Sequence, residues 1–319
     1  LCVGIKERMT EFIPEELDRY FYWLHERENI RILKEEGDES PPWTDDPILQ
    51  EFKFCQVFRE DDRTTRWFRT HMRDPLATHR DVFMATIIFR WFNLIETGRT
   101  LLEHNLHREW NRKKAIEEIT KQPKWITGSY IIKTPNRMDK VTGVAECISH
   151  IWKDRNYLLD MLEKELEKDT LTLQKMWKWL RDYPYMGPFM AYEVVTDLRW
   201  TYLLSDAQDI NKWANAGPGA MRGLNRLTGR PLKFTSTLHP WQKEMVELLY
   251  IAADRLDRNW VFPHGTATFE MREIEGGLCE FDKYSRILKK EGRTRSIYKY
   301  NKELPMVEDT INGESIWAE

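Results

Sequence analysis

Apolar residues recur at every third or fourth position, with charges between them, across Glu15 to Arg27, Phe83 to Glu96 and Tyr157 to Lys168. That spacing lines one face of a helix and leaves the other to water, so it predicts amphipathic helices. A similar stretch runs from Leu173 to Arg181, and another follows it to Leu198. Few segments alternate in the strand period of two. The pattern breaks at the proline- and acid-rich 37–47, at 125–136 and at 232–240. There is no internal repeat and no low-complexity tract that would mark a linker, so the expected fold is all-α, in two lobes at most.

Length and composition narrow this only a little. A chain of 319 residues, 41% apolar and 32% charged, can bury a substantial core without an external scaffold. No apolar run approaches the roughly 20 residues of a spanning helix, and the N-terminus lacks a signal peptide's charged-then-apolar order. The expectation is therefore a cytoplasmic protein with no membrane partner. Cys2, Cys55, Cys147 and Cys279 are scattered singly, without the close pairs of a zinc or iron–sulfur site. No metal and no cofactor are expected.

A net charge of -3 excludes binding to nucleic acid through global charge. Any such contact must be local. Arg222, Arg226, Arg230 and Lys233 form one basic cluster; Lys283, Arg286, Lys289, Lys290, Arg293, Arg295 and Lys299 form another. A solvated helix face accounts for such runs as well. The 14 Trp suit a surface that stacks on bases, although core packing uses Trp too. The stretch from Gly217 to Gly223 lacks the Gly-Lys-Ser/Thr ending of a nucleotide phosphate loop, and no strand precedes it as a dinucleotide fold requires. His104 and His107 could face one way on a helix, but no third ligand accompanies them.

The most informative region begins at Leu171. After the amphipathic stretch Leu173 to Arg181 comes Tyr183-Pro184-Tyr185-Met186-Gly187-Pro188-Phe189-Met190-Ala191, then a second helix-like stretch. Pro184 ends the first helix, Gly187 permits a tight turn and close approach of a ligand, and Pro188 suits the first turn of the next helix. The unpaired N–H groups and positive dipole of that turn attract phosphate. A plain helical hairpin is the competing reading. Asp209 follows Gly187 by 22 residues and Asp206 follows it by 19.

This order of hairpin and carboxylate resembles the helix-hairpin-helix DNA glycosylases, with Pro184, Gly187 and Ala191 at matching hairpin positions and Tyr185 departing from the pattern. Phe54 to Arg63, Met186 to Glu193, Trp213 to Arg226 and Leu278 to Tyr284 extend a closer resemblance over most of the chain. They look like a phage-associated branch of that superfamily, the helical domain of 5-hydroxymethyluracil DNA kinases, close to the α-glutamyl/putrescinyl thymine pyrophosphorylases. The resemblance implies a helix-hairpin-helix glycosylase-like domain with a cleft between two helical lobes. Its segments would be an N-terminal lobe over 1–165, a hairpin and catalytic segment over 166–235, and a C-terminal basic segment over 236–319 that packs back.

The implied partner is double-stranded DNA containing modified bases, bound by a monomer. The implied activity is excision of a hypermodified base, of the glucosylated hydroxymethylcytosine class, in defence against phage. A transferase that joins an amine or amino acid to an activated hydroxymethyl base is the alternative, and a DNA-binding module without catalysis is the third reading. Under the resemblance Asp209, with Asp206 in reserve, would stabilise the charge developing on the sugar. Lys178 sits where one subfamily keeps a Schiff-base lysine, whereas Phe189 replaces the lysine of another. Tyr185, Met186, Gly187, Pro188 and Phe189 would grip the backbone. Gly217, Gly219, Arg222 and Arg226 would form a second phosphate cradle. Trp213, with Arg59, Asp62 and Arg63, would wall the base pocket.

Overall fold

The computed structural model describes residues 9–35, 41–128, 130, 132–256, 269–292 and 297–298, and the backbone alone at 310–311 and 314–315. The fold is all-α, as the periodicity predicts. Its helices are α1 (Pro14–Glu35), α2 (Pro47–Glu51), α3 (Arg63–Phe68), α4 (Asp81–Phe92), α5 (Ile95–Glu103), α6 (Arg112–Ile119), α7 (Lys140–Glu167), α8 (Leu173–Leu180), α9 (Pro188–Leu198), α10 (Pro218–Leu227), α11 (Trp241–Arg255) and α12 (Met271–Leu288). A two-residue antiparallel pair, β1 (Thr310–Ile311) with β2 (Glu314–Ser315), and an isolated antiparallel bridge between Phe52 and Ile297 are the extended exceptions among the described residues. No helix there is long and apolar enough to cross a membrane.

The chain divides into two compact units. One comprises 1–61 and 211–305; the other comprises 62–210 and 306–319. In the first, α12 packs against α1, α2, α10 and α11. Its buried face carries Met271, Ile274, Leu278, Phe281 and Tyr284, and is met by Tyr20 edge-on to Phe281 at 5.5 Å. In the second, α4 is the central element and contacts α5, α7 and α9. Val82 to Phe92 are all buried, so this helix is covered on every side and is not amphipathic as the spacing over Phe83 to Glu96 predicts.

The starts of the helices follow capping chemistry. Asn111, Asp139 and Thr172 each accept a hydrogen bond from a first-turn N–H of α6, α7 and α8, satisfying donors that have no carbonyl within the helix. The expected continuous helix from Phe83 to Glu96 is instead two. Asn93 takes a left-handed conformation (φ 46°) and closes α4, and Glu96 then falls in the first turn of α5. Asparagine tolerates that conformation because its short amide bonds locally.

A buried polar network fixes α9 to α4. Arg90 on α4 meets Asp197 on α9 through two of its nitrogens, the Nη2–Oδ1 bond measuring 2.8 Å. Its Nη1 donates to Asn93 Oδ1 at 2.7 Å and its Nη2 to Thr65 Oγ1 at 3.1 Å. The guanidinium also lies 5.2 Å from the Phe68 ring centre. The network orients the second hairpin helix from behind.

Candidate nucleic-acid interface

Helices α8 and α9 form the hairpin expected from Pro184 and Pro188. Tyr183, Pro184 and Tyr185 make the turn, with Met186 N–H donating to the Tyr183 carbonyl at 3.1 Å and Gly187 N–H to the Tyr185 carbonyl at 3.0 Å. Met186 is the apolar anchor of the tip, being 1% exposed. The Trp177 indole donates to the Pro188 carbonyl at 2.9 Å and so ties α8 to the first residue of α9. The Tyr183 hydroxyl donates to Asp154 of α7 at 3.1 Å, and burial together with that carboxylate pushes its phenol well above the usual tyrosine range.

The outer surface of this hairpin has the composition of a nucleic-acid contact. Gly187 is the N-cap of α9 and offers no side-chain cap, while Pro188 occupies its first turn. The following N–H groups of Phe189 and Met190 have no intrahelical carbonyl to reach, and the helix dipole adds to their attraction for an anion. A Cβ added to Gly187 would meet nothing within 4 Å, and its φ of -69° is one any residue adopts. Neither packing nor backbone conformation calls for glycine there, and its effect is an unobstructed helix end.

Tyr185 and Phe189, which flank Gly187 and Pro188 in sequence, are exposed, as are Lys178 on α8 and Arg181 at its C-cap. Arg181 lies 4.3 Å over the Trp177 ring. Phe189 stands edge-on to Tyr130 at 5.1 Å, and the Tyr130 hydroxyl donates to the buried Glu193. Cations, aromatic faces and a helix N-terminus are thus collected on one supersecondary element.

Other expected site residues are placed differently. Asp209 caps α8: its Oδ1 accepts from Leu173 N–H at 2.9 Å and its Oδ2 from Gln174 N–H at 3.0 Å. That is the opposite end of α8 from the hairpin tip, about 12 Å away along an eight-residue helix. Asp206 is exposed and accepts from Ser205 at 3.1 Å. Trp213 is 7% exposed and belongs to the first unit, as does the buried Arg59. Asp62 and Arg63 belong to the second, at the start of α3.

The second phosphate cradle is corrected. Gly217 and Pro218 do open α10 as Gly187 and Pro188 open α9, but the Gly217 N–H faces Glu275 Oε1 at 3.4 Å, a carboxylate where a phosphate was expected. Gly219 and Gly223 instead let α10 approach α12: a Cβ at Gly219 would meet Cys279 Sγ at 2.3 Å and one at Gly223 the Leu278 carbonyl oxygen at 2.4 Å. Arg222 and Arg226 both donate to Asp282, at 2.8 and 2.9 Å, and Arg226 reaches Glu291 at 2.6 Å. Arg226 is 5% exposed, so it holds helices together and is not presented to a ligand.

Several members of both basic clusters read from the sequence are likewise paired with carboxylates within their own unit. Arg230 pairs with Glu244, Lys283 with Glu280 and Lys289 with Glu16. Arg293, Arg295 and Lys299 lie outside the described residues. Of the two histidines considered as ligands, His107 is buried with its Nδ1 3.3 Å from the Leu101 carbonyl, and His104 pairs with Glu118 at 3.4 Å.

A feature missed in the sequence is the π-helical turn Arg69–Arg73 after α3, whose Arg69, His71 and Arg73 are all buried. Basic residues at every second position after Trp67 and Phe68 were the available signal. Such turns concentrate at functional sites.

With this geometry in place, the relatives decide the family. The family described as 5-hmdU DNA kinase, helical domain, matches residues 14–294. The chain belongs to this family. A 5-hmdU DNA kinase of Bacillus phage SP10 is 24% identical over 296 residues, covering 84% of this chain and 44% of that relative. The chain therefore spans less than half the length of the curated relative it matches. No solved structure matches it.

These findings bear out the phage-associated modified-base family and overturn the expected hydrolysis. The relative is named for phosphoryl transfer, not for cleavage of the sugar–base bond. The glycosylase reading, its hydrolase class and the excision roles given to Asp209, Asp206 and Lys178 fall with it.

Proposed function

We propose that this chain is the DNA-facing part of a transferase that works on the hydroxymethyl group of a modified pyrimidine and leaves the sugar–base bond intact. The observation that carries this reading is the family match over residues 14–294, nearly the whole described chain. It favours group transfer, which was the alternative to excision. The hairpin supplies a physical basis for the DNA contact: the open N-terminus of α9 suits a backbone phosphate, and the exposed Lys178 and Arg181 add local charge to a chain whose net charge is -3.

To act on an exocyclic hydroxymethyl group, a protein must draw the nucleotide out of the stack or take it unpaired. The Gly217 to Gly223 stretch is engaged in helix packing, so no residue there is assigned to a nucleotide phosphate. This chain is accordingly given the recognition and presentation of the DNA. The test is mass analysis of nuclease-digested duplex containing 5-hydroxymethyluracil after incubation with the protein and ATP. Every nucleoside should be recovered with its base attached, and any added mass should sit on the hydroxymethyl group. Accumulation of free base and abasic sites would overturn the reading.

A further inference from the structure

One face of α7 lines a cavity of about 410 Å³ within the second unit. Trp152, Arg155, Asn156 and Leu159 follow one another at helical spacing and so share that face. Leu159 and Met84 of α4 are buried and give the cavity an apolar floor. Its volume falls in the range of small-molecule sites, roughly 300 to 1,000 Å³. The charged lining is cationic, with Arg80, Arg108 and Arg155 against the carboxylate of Asp81. Two of these arginines are paired: Arg80 meets Asp160 and Glu163, and Arg108 Nε donates to Asp81 at 2.7 Å. Arg155 meets no carboxylate among the described residues. Its Nη1 donates to the Trp152 carbonyl at 2.8 Å and its guanidinium lies 4.0 Å over the Trp152 ring. Those contacts fix the guanidinium and leave most of its N–H donors open. A half-buried cation without a counter-charge carries a desolvation cost that an anionic ligand removes.

We propose that this cavity binds a small organic phosphate monoester, of mononucleotide size, with its phosphate on Arg155 and its organic part against Met84 and Leu159. A guanidinium held in one plane suits two phosphate oxygens at once. Arg108, committed to Asp81 through its Nε, adds a second guanidinium to the lining. His107 adds an acceptor. Its Nδ1 lies 3.3 Å from the Leu101 carbonyl and carries the proton there, and burial lowers the imidazole below the usual histidine range, so Nε2 stays unprotonated. An acceptor in a cationic pocket suits a sugar hydroxyl or a base N–H. This binding does not depend on the DNA contact proposed above.

Titration calorimetry in the absence of DNA tests it, with thymidine monophosphate, adenosine monophosphate, thymidine and inorganic phosphate as probes. At least one nucleotide should bind about tenfold more tightly than both thymidine and inorganic phosphate. Arg155→Gln removes the charge without breaking an ion pair. It should melt close to the wild-type temperature and weaken nucleotide binding roughly tenfold to a hundredfold, the range of a hydrogen bond to a charged group. Asn156→Trp, at an exposed position of the lining, fills the cavity without entering the core and should weaken binding as much. Should Arg155→Gln melt lower, Asn156→Trp decides alone. Nucleotides that fail to bind at millimolar concentration, or bind no better than thymidine or inorganic phosphate, would overturn the proposal. Undiminished binding by the variants would do the same. A DNA strand with a phosphorylated end that binds more tightly than either mononucleotide, by a margin that Arg155→Gln abolishes, would overturn the assignment to a free small molecule.

Discussion

Asp197→Ala is expected to destabilise the second unit by about 3 to 5 kcal/mol, the cost typical of removing one partner from a buried ion pair. Asp197 is fully buried and Arg90 is 2% exposed, so the guanidinium left behind would keep Asn93 and Thr65 as neutral partners but lose a carboxylate that water cannot replace. Surface ion pairs of this protein would show no such effect, since solvent screens them. Denaturant unfolding measures the loss as a lowered midpoint. Replacing both partners together, Arg90→Met with Asp197→Leu, should recover much of it, because the cost comes from the stranded charge. A single-variant loss below about 1 kcal/mol would mean that the network is not what holds α9 to α4.

Gly223→Ala should be the second large effect, at about 2 to 3 kcal/mol, in the range of a core that must shift to admit a methyl group. The new Cβ would stand 2.4 Å from the Leu278 carbonyl oxygen and 2.9 Å from its carbon. Those are backbone atoms of α12 and cannot rotate away, so α10 must move. The gain of roughly 0.5 to 1 kcal/mol that alanine normally brings to a helix interior is too small to offset this. Gly187→Ala is the control: nothing lies within 4 Å of its added Cβ, and the loss of a glycine N-cap costs at most about 1 kcal/mol. Melting temperatures of the two variants read out the contrast, and equal values would show that the α10–α12 contact is looser than described.

The same contrast explains what the sequence reveals and what it conceals. Periodicity exposes α1, α7 and α8 because each has one apolar and one polar face, whereas α9 is buried all round from Met190 to Leu198. The hairpin is legible for a local reason: its prolines and its glycine act within a few residues of themselves. The role of Gly219 and Gly223 is not local, since it depends on which face of α12 lies opposite. The basic clusters mislead similarly. Arg222 and Arg226 find Asp282 at sequence separations of 60 and 56, and spacing along the chain carries no sign of such pairings. Asp209 looks catalytic from its distance to the hairpin, yet the N–H groups it accepts are 36 and 35 residues away at the start of α8. The family is recognisable in the motifs, whereas the reaction is not, because base extrusion is common to excision and to transfer.

Recognition of the hydroxymethyl group of a modified pyrimidine in DNA is the role proposed for this chain. Competition binding tests it most directly, with two duplexes that differ only by 5-hydroxymethyluracil or thymine at one position. Recognition of the hydroxyl should favour the hydroxymethyl duplex by about tenfold, the discrimination of roughly one good polar contact. Equal affinity for the two duplexes would contradict the account.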